Sequence, residues 1–245
     1  MLVANKPAVE FFEVTKTFAN VPAVDALSLR VEQGQLYVLL GKNGAGKTTS
    51  LRMLAGLESP DQGKILVHGR DIANESQFAR AHIAFLPDDP LLYDLLKPLE
   101  YLEFVAGLWD VDRKFAAEEA DFLLLQLDLW EHRGKLIKNF SRGMKQKLAL
   151  AGGLIHKPSI IILDEPLTGL DALAAKKVKD VLRKKASEGV AIILTTHILE
   201  VAEKLADKVA IIDGGRIVAD GPIEYLLQKT NSNTLEDLFL KMVEY

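Results

Sequence analysis

LYVLLGKNGAGKTT, residues 36–49, joins a run of five apolar residues to a glycine-rich loop, and the loop to a helix carrying Leu51 and Leu54. Upstream, across a turn marked by Gly34, ALSLRV (26–31) alternates apolar and polar residues. The chain therefore passes from a half-exposed antiparallel strand to a strand buried on both faces, as the strands of a parallel sheet are. Gly41–Thr49 fits the pattern G-x-x-x-x-G-K-[ST] in the strand–loop–helix setting which that pattern requires. Gly41, Gly44 and Gly46, with Asn43 and Ala45 between them, allow the backbone to curl until the N–H groups of residues 44–49 point at an anion, and the helix start adds a favourable dipole. Lys47 then supplies charge to the β and γ phosphates of a nucleotide, and the Thr48 hydroxyl, next to Thr49, is placed for Mg²⁺. A glycine-rich turn with one surface lysine is the bland alternative, and composition rarely delivers the full string in this setting.

On the N-terminal side, AVEFFEVTKTF (8–18), GKILV (63–67) before His68 and Gly69, and AHIAFL (81–86) read as further strands, so the first hundred residues are mostly strands and turns. From Pro98, Leu99, Leu102, Val105 or Ala106, and Trp109 recur at helical spacing, and Leu123, Leu124 and Leu127 repeat the pattern. Residues of about 95–156 thus form a helical lobe. Beyond it the chain alternates: strand 160–163, helix 172–187, strand 190–195, helix 198–206, strand 208–212 and a hairpin over GGRIVADG (214–221). Such alternation predicts an α/β fold with a mostly parallel sheet covered on both faces. No internal repeat is present, so residues 1–245 are expected to form a single domain with the helical lobe inserted in its α/β core.

Composition narrows the partners. With 49% hydrophobic and 26% charged residues the chain reads as an ordinary globular protein, and a net charge of -4 gives no basic field for a nucleic-acid backbone. The absence of cysteine removes disulfides, thiolate metal sites and cysteine nucleophiles, which fits a cytosolic setting. The start, MLVANKPAVEFFEV, lacks the basic-then-apolar pattern of a signal peptide, and no apolar run approaches the roughly 20 residues of a membrane helix.

IIILDEP (160–166) is an apolar strand ending in two carboxylates. Successive strand side chains point to opposite sides, so the two need not share one task. Asp164 suits Mg²⁺, directly or from the second shell, and Glu165 suits a water that attacks a phosphoryl group. His197 follows the strand VAIILTT at the edge where α/β proteins place ligands; contact with a γ phosphate and a helix-capping or packing role both fit it. The other histidines, at 68, 82, 132 and 156, read as surface or locally paired residues.

Together with NFSRGMKQKLAL (139–150), these elements resemble the ATP-binding cassette (ABC) ATPase family over nearly the whole chain. That resemblance implies a P-loop NTPase with a RecA-like core, an antiparallel β subdomain and an α-helical signature subdomain. SRGMKQ (141–146) resembles the family's signature, with Ser141 and Gly143 as nucleotide contacts, and it lies 23 residues before Asp164. GLD (169–171) resembles the D-loop, His197 the switch histidine, and Phe18 the aromatic that stacks on adenine. The implied cofactors are ATP and Mg²⁺. The implied partner is a second cassette, paired head to tail so that one signature closes over the ATP of the other and Asp171 crosses the interface. Read physically, Ser141 is an N-cap whose helix start offers N–H groups to an anion, and Asp171 is an N-cap for the helix from Ala172.

The S-x-G-M-K-Q form is similar to stand-alone cassettes of exporters whose permease is a separate chain, which implies a place on the cytoplasmic side of the membrane. Asp88, or Asp89 after a one-residue slip, stands where the family carries a glutamine that touches Mg²⁺ and senses the permease. An aspartate is shorter and adds charge beside a triphosphate, so Asp88 is expected to reach the metal through water or only on dimer closure, and to slow hydrolysis without a permease. Leu91, Leu92, Tyr93, Tyr101, Phe104 and Trp109 fall where the family accepts the permease's coupling helix, although Phe104 and Trp109 read singly as core. LEDLFLKMVEY (235–245) resembles the usual ending of such cassettes. A soluble ABC ATPase that remodels nucleic acid or assists assembly is the alternative function, and it lacks support in the missing coiled-coil insertion and the mild negative charge. A decayed scaffold subunit would have lost Lys47, Asp164, Glu165 or His197; a kinase-like transferase would share only the phosphate loop.

Overall fold

The computed structural model describes residues 6–243; the first five residues of the N-terminal stretch and the last two of segment 235–245 lie outside the described residues. Two sheets form. The half-alternating N-terminal runs become β1 (Val9–Phe18), β2 (Val21–Val31), β4 (Gln62–Val67) and β5 (Arg70–Asp71), an antiparallel sheet in the order β2-β1-β4-β5. The continuous apolar runs become β3 (Leu36–Leu40), β6 (Ile83–Leu86), β7 (Ile160–Asp164), β8 (Ala191–Thr196) and β9 (Lys208–Asp213), joined by β10 (Arg216–Gly221) in the order β10-β9-β3-β8-β7-β6. All pairings in this second sheet are parallel except the β9–β10 hairpin, whose turn residues Gly214 and Gly215 both adopt positive φ.

Every residue of β3, β7 and β8 is buried, and the period of two then divides each run between two cores. Leu36, Val38, Leu40, Ile161, Leu163, Ile192 and Leu194 face the core shared with the helical lobe. Tyr37, Leu39, Ile160, Ile162, Ala191 and Ile193 face the core shared with the antiparallel sheet. The helices are α1 (Lys47–Leu54), α2 (Ser76–His82), α3 (Pro98–Leu108), α4 (Arg113–Gln126), α5 (Arg142–Leu154), α6 (Ala172–Ser187), α7 (Leu199–Leu205), α8 (Ile223–Thr230) and α9 (Leu235–Val243). Helices α3, α4 and α5 supply the lobe expected at 95–156.

The structure corrects the strand expected over 81–86 and adds one helix. The strand expected over 81–86 starts only at Ile83, because Ala81 and His82 end α2, a helix of seven residues that buries Ala79 and packs Phe78 against His82 and His68. Two helical turns with a single buried residue give too little periodicity to stand out beside IAFL. Helix α8 follows the hairpin and buries only Leu226, so it too was hidden. The remaining histidines are locally packed: His68 hydrogen-bonds Ser159 at 2.7 Å, His132 meets the edge of Phe140, and His156 stacks on Trp109 at 4.2 Å. Leu194, fully buried between β7 and β3, fixes the lobe-side core. Leu194→Ala is expected to lower the unfolding free energy by about 2–5 kcal/mol, measured as a shift of the urea midpoint at constant slope.

Candidate active site

The loop between β3 and α1 is shaped by its surroundings as well as by its own glycines. A Cβ at Gly41 would lie 2.5 Å from the Ile212 carbonyl, and one at Gly46, at φ 106°, would run into the Ala23 carbonyl. Gly44 faces open space and is required only by its φ of 81°. Helix α1 has no side-chain cap and no acidic residue in its first turn, so its N-terminal amides and dipole carry no internal counter-charge. Ala45 is buried beneath the loop.

Lys47 opens α1 and is 5% exposed. Its Nζ donates to the carbonyls of Gly41 at 2.8 Å and Lys42 at 3.1 Å, and stands 3.6 Å from Glu165 Oε1. Glu165 follows directly after β7 with a positive φ of 47°, in the left-handed region that non-glycine residues avoid. This turn places its carboxylate among three side chains. Oε1 lies 3.0 Å from His197 Nδ1 as well as near Lys47, and Oε2 accepts from Thr168 Oγ1 at 3.2 Å.

Asp164, 5% exposed, accepts a 2.6 Å hydrogen bond from Thr195 Oγ1, and that same hydroxyl accepts from the Glu165 backbone N–H at 3.0 Å. One fully buried hydroxyl on β8 therefore fixes both carboxylates at the end of β7. No sequence motif marks Thr195; the paired threonines that close VAIILTT are the available signal. Their role becomes visible only once β8 is known to lie beside β7.

A cavity of about 420 Å³ lies over these groups, lined by Asn43, Gly44, Gly46, Lys47, Thr48, Thr49, Asp88, Asp164, Glu165 and Ala23. His197 joins it through Glu165. The other expected residues stand elsewhere. Phe18 is half-exposed at the end of β1, with Lys16 Nζ 5.4 Å from its ring centre. Ser141 caps α5 by accepting from Met144 N, Asp171 caps α6 by accepting from Ala174 N, and Gly143 packs beside Ala174 and Leu170. Asp88 reaches the cavity, with its Oδ1 3.1 Å from an Arg142 guanidinium nitrogen, whereas Asp89 lines a separate groove.

A glycine loop feeding an anion-ready helix start, with two carboxylates on the next-but-one strand of a parallel sheet, defines a P-loop nucleotide-binding protein. Residues 24–168, more than half of the chain, match the family described as ABC transporter, and the chain belongs to that family. It is similar to the daunorubicin resistance ATP-binding protein DrrA3 of Streptomyces coeruleorubidus, 37% identical over 221 residues, 90% of this chain and 70% of that protein. It is also similar to the ABC transporter ATP-binding protein NatA of Bacillus subtilis, 34% identical over 90% of each chain. A solved structure described as the ATP binding subunit of an ABC transporter superposes with a TM-score of 0.89 at 27% identity, covering 96% of this chain and 99% of that one.

Because Thr195 satisfies a buried carboxylate and a half-buried amide together, Thr195→Val keeps the shape but leaves both unpaired. The expected loss is about 1–3 kcal/mol of stability by denaturant unfolding, most of it recovered in Thr195→Ser.

Proposed function

We propose that this chain is an ATP-hydrolysing subunit that powers export through a separate membrane-spanning permease, working as one nucleotide-binding domain at the cytoplasmic face of the membrane. The observation that carries the reading is the convergence of Lys47 and His197, from two other elements, on Glu165, which lines the cavity beside the glycine loop. Support for the transport role comes from the names of the relatives, which are resistance and transport ATP-binding proteins. No helix among the described residues is long and apolar enough to cross a membrane, which fits a permease on another chain.

In this reading the loop amides and the start of α1 bind the phosphates, and Lys47 exchanges the Gly41 and Lys42 carbonyls for phosphate oxygens. Glu165 takes a proton from the water as its oxygen bonds to the γ phosphorus and the bridging P–O bond to ADP breaks; His197 donates through Nδ1 to orient Glu165 and, with both ring nitrogens protonated, through Nε2 to stabilise charge on the transferring phosphoryl. The donors for Mg²⁺ are the Thr48 hydroxyl and the Asp164 carboxylate, with Asp88 nearby. Among the described residues no group of three acidic or histidine side chains could hold a metal alone, and a site of one or two hard oxygens suits an ion completed by phosphate and water. When bound, Mg²⁺ neutralises charge developing on the phosphate oxygens.

Ser141, Gly143 and Asp171 lie outside the cavity of their own chain but at the starts of α5 and α6, where anion-binding amides are available. We assign them to the nucleotide of a second copy, paired head to tail, and Phe18 to the adenine ring. For the permease, Leu92, Tyr93, Leu95 (76% exposed), Leu96 and Phe104 offer an apolar groove, with the Tyr93 and Phe104 rings 5.0 Å apart at its wall.

Glu165→Gln is expected to lower ATP turnover by about 10²–10⁴-fold while ATP binding persists, and to accumulate an ATP-dependent dimer measurable by light scattering. EDTA is expected to abolish turnover of the unmodified chain. Unchanged turnover in Glu165→Gln would overturn the assignment of the base.

A further inference from the structure

Arg142, the first residue of α5, touches two loops at once. Its guanidinium is ion-paired to Asp88 at 3.1 Å, in the loop after β6. The same plane lies against Gly169, where an added Cβ would meet Arg142 Nη1 at 3.2 Å and Cζ at 3.3 Å; Gly169 belongs to the loop that begins at Glu165 and ends at Asp171. One turn along α5, Lys145 pairs with Asp94 at 2.8 Å. The loop from Asp88 to Asp94 is thereby fastened at both ends to the helix that begins the signature. Asp88 is also a cavity wall, where Asp88, Asp164 and Glu165 face a single lysine, Lys47. A triphosphate entering that cavity brings further negative charge, so the state of the Asp88 charge bears directly on nucleotide affinity.

We propose that Arg142 is a positioning residue that masks the Asp88 charge and so sets the affinity of the cavity for ATP. With the pair formed, the guanidinium neutralises Asp88 and the cavity accepts the triphosphate. Without the guanidinium, Asp88 faces the phosphates alone, and ATP is bound less tightly. Both partners are half-exposed, so the pair adds little to folding and its removal leaves a foldable chain. The inference rests on the ATP reading of this cavity.

The test is a double-mutant cycle on the full chain, with ATP binding measured by displacement of trinitrophenyl-ATP at low salt, in EDTA and again with Mg²⁺. Arg142→Ala is expected to weaken ATP binding three- to tenfold, and Asp88→Asn to tighten it at least twofold. Adding Arg142→Ala to Asp88→Asn is expected to change affinity by less than 1.5-fold, and the Arg142→Ala effect is expected to shrink in 0.5 M salt. Equal weakening by Arg142→Ala in both backgrounds would show a structural role and overturn the proposal. So would no effect at all, or a loss on Asp88→Asn confined to Mg²⁺, which marks Asp88 as a metal ligand. Failure of the unmodified chain to bind ATP would instead sink the nucleotide reading itself.

Discussion

A lysine ammonium held where the residue is 5% exposed is the constraint on which the site depends. Isolated burial of such a charge is strongly unfavourable, so it must be surrounded by oxygens. The Gly41 and Lys42 carbonyls and the Glu165 carboxylate supply them. Each supplier is placed by something larger: the carbonyls by a loop whose glycines leave no room for side chains against Ile212 and Ala23, the carboxylate by the end of β7. The parallel sheet sets these strand ends side by side, and the two cores on its faces hold them there. The two carbonyls are neutral and so weaker partners for Lys47 than a charged anion would be.

Much of this was legible beforehand because the decisive signals were local. Five apolar residues followed by a glycine loop and a lysine specify a buried strand, a turn and a helix within a short window, and the runs ending in Asp164 and Thr196 specify two more strands. The N-caps Ser141 and Asp171 were likewise readable from residue type and the helix that follows. What stayed hidden was short or non-local. Helix α2 has one buried residue, too few for a period to appear. Thr195 acts on residues 30 and 31 positions away, and Arg142 on one 54 positions away, so neither partnership exists until the sheet order and the lobe packing are known. Asp88 was singled out as a departure in charge, but its partner was not.

The antiparallel sheet and the helical lobe share no core. One packs on the face of the central sheet that holds Tyr37 and Leu39, the other on the face that holds Val38 and Leu40. The cavity sits at the strand ends between these two bodies, with Ala23 contributed from one side and Asp88 beside the other. A ligand there touches the antiparallel sheet at Ala23 and meets the lobe only through Asp88 and its partner Arg142.

Glu165 holds its φ of 47° without the excuse of a missing Cβ. Strain of that kind amounts to about 1–3 kcal/mol and persists only where surrounding contacts enforce it, here Thr195 at the backbone and Lys47, His197 and Thr168 at the carboxylate. Asparagine or glycine would rest there more comfortably. Selection for heat resistance alone would therefore drift toward those residues and remove the carboxylate proposed to take a proton from water, so in that reading durability and turnover pull this position in opposite directions.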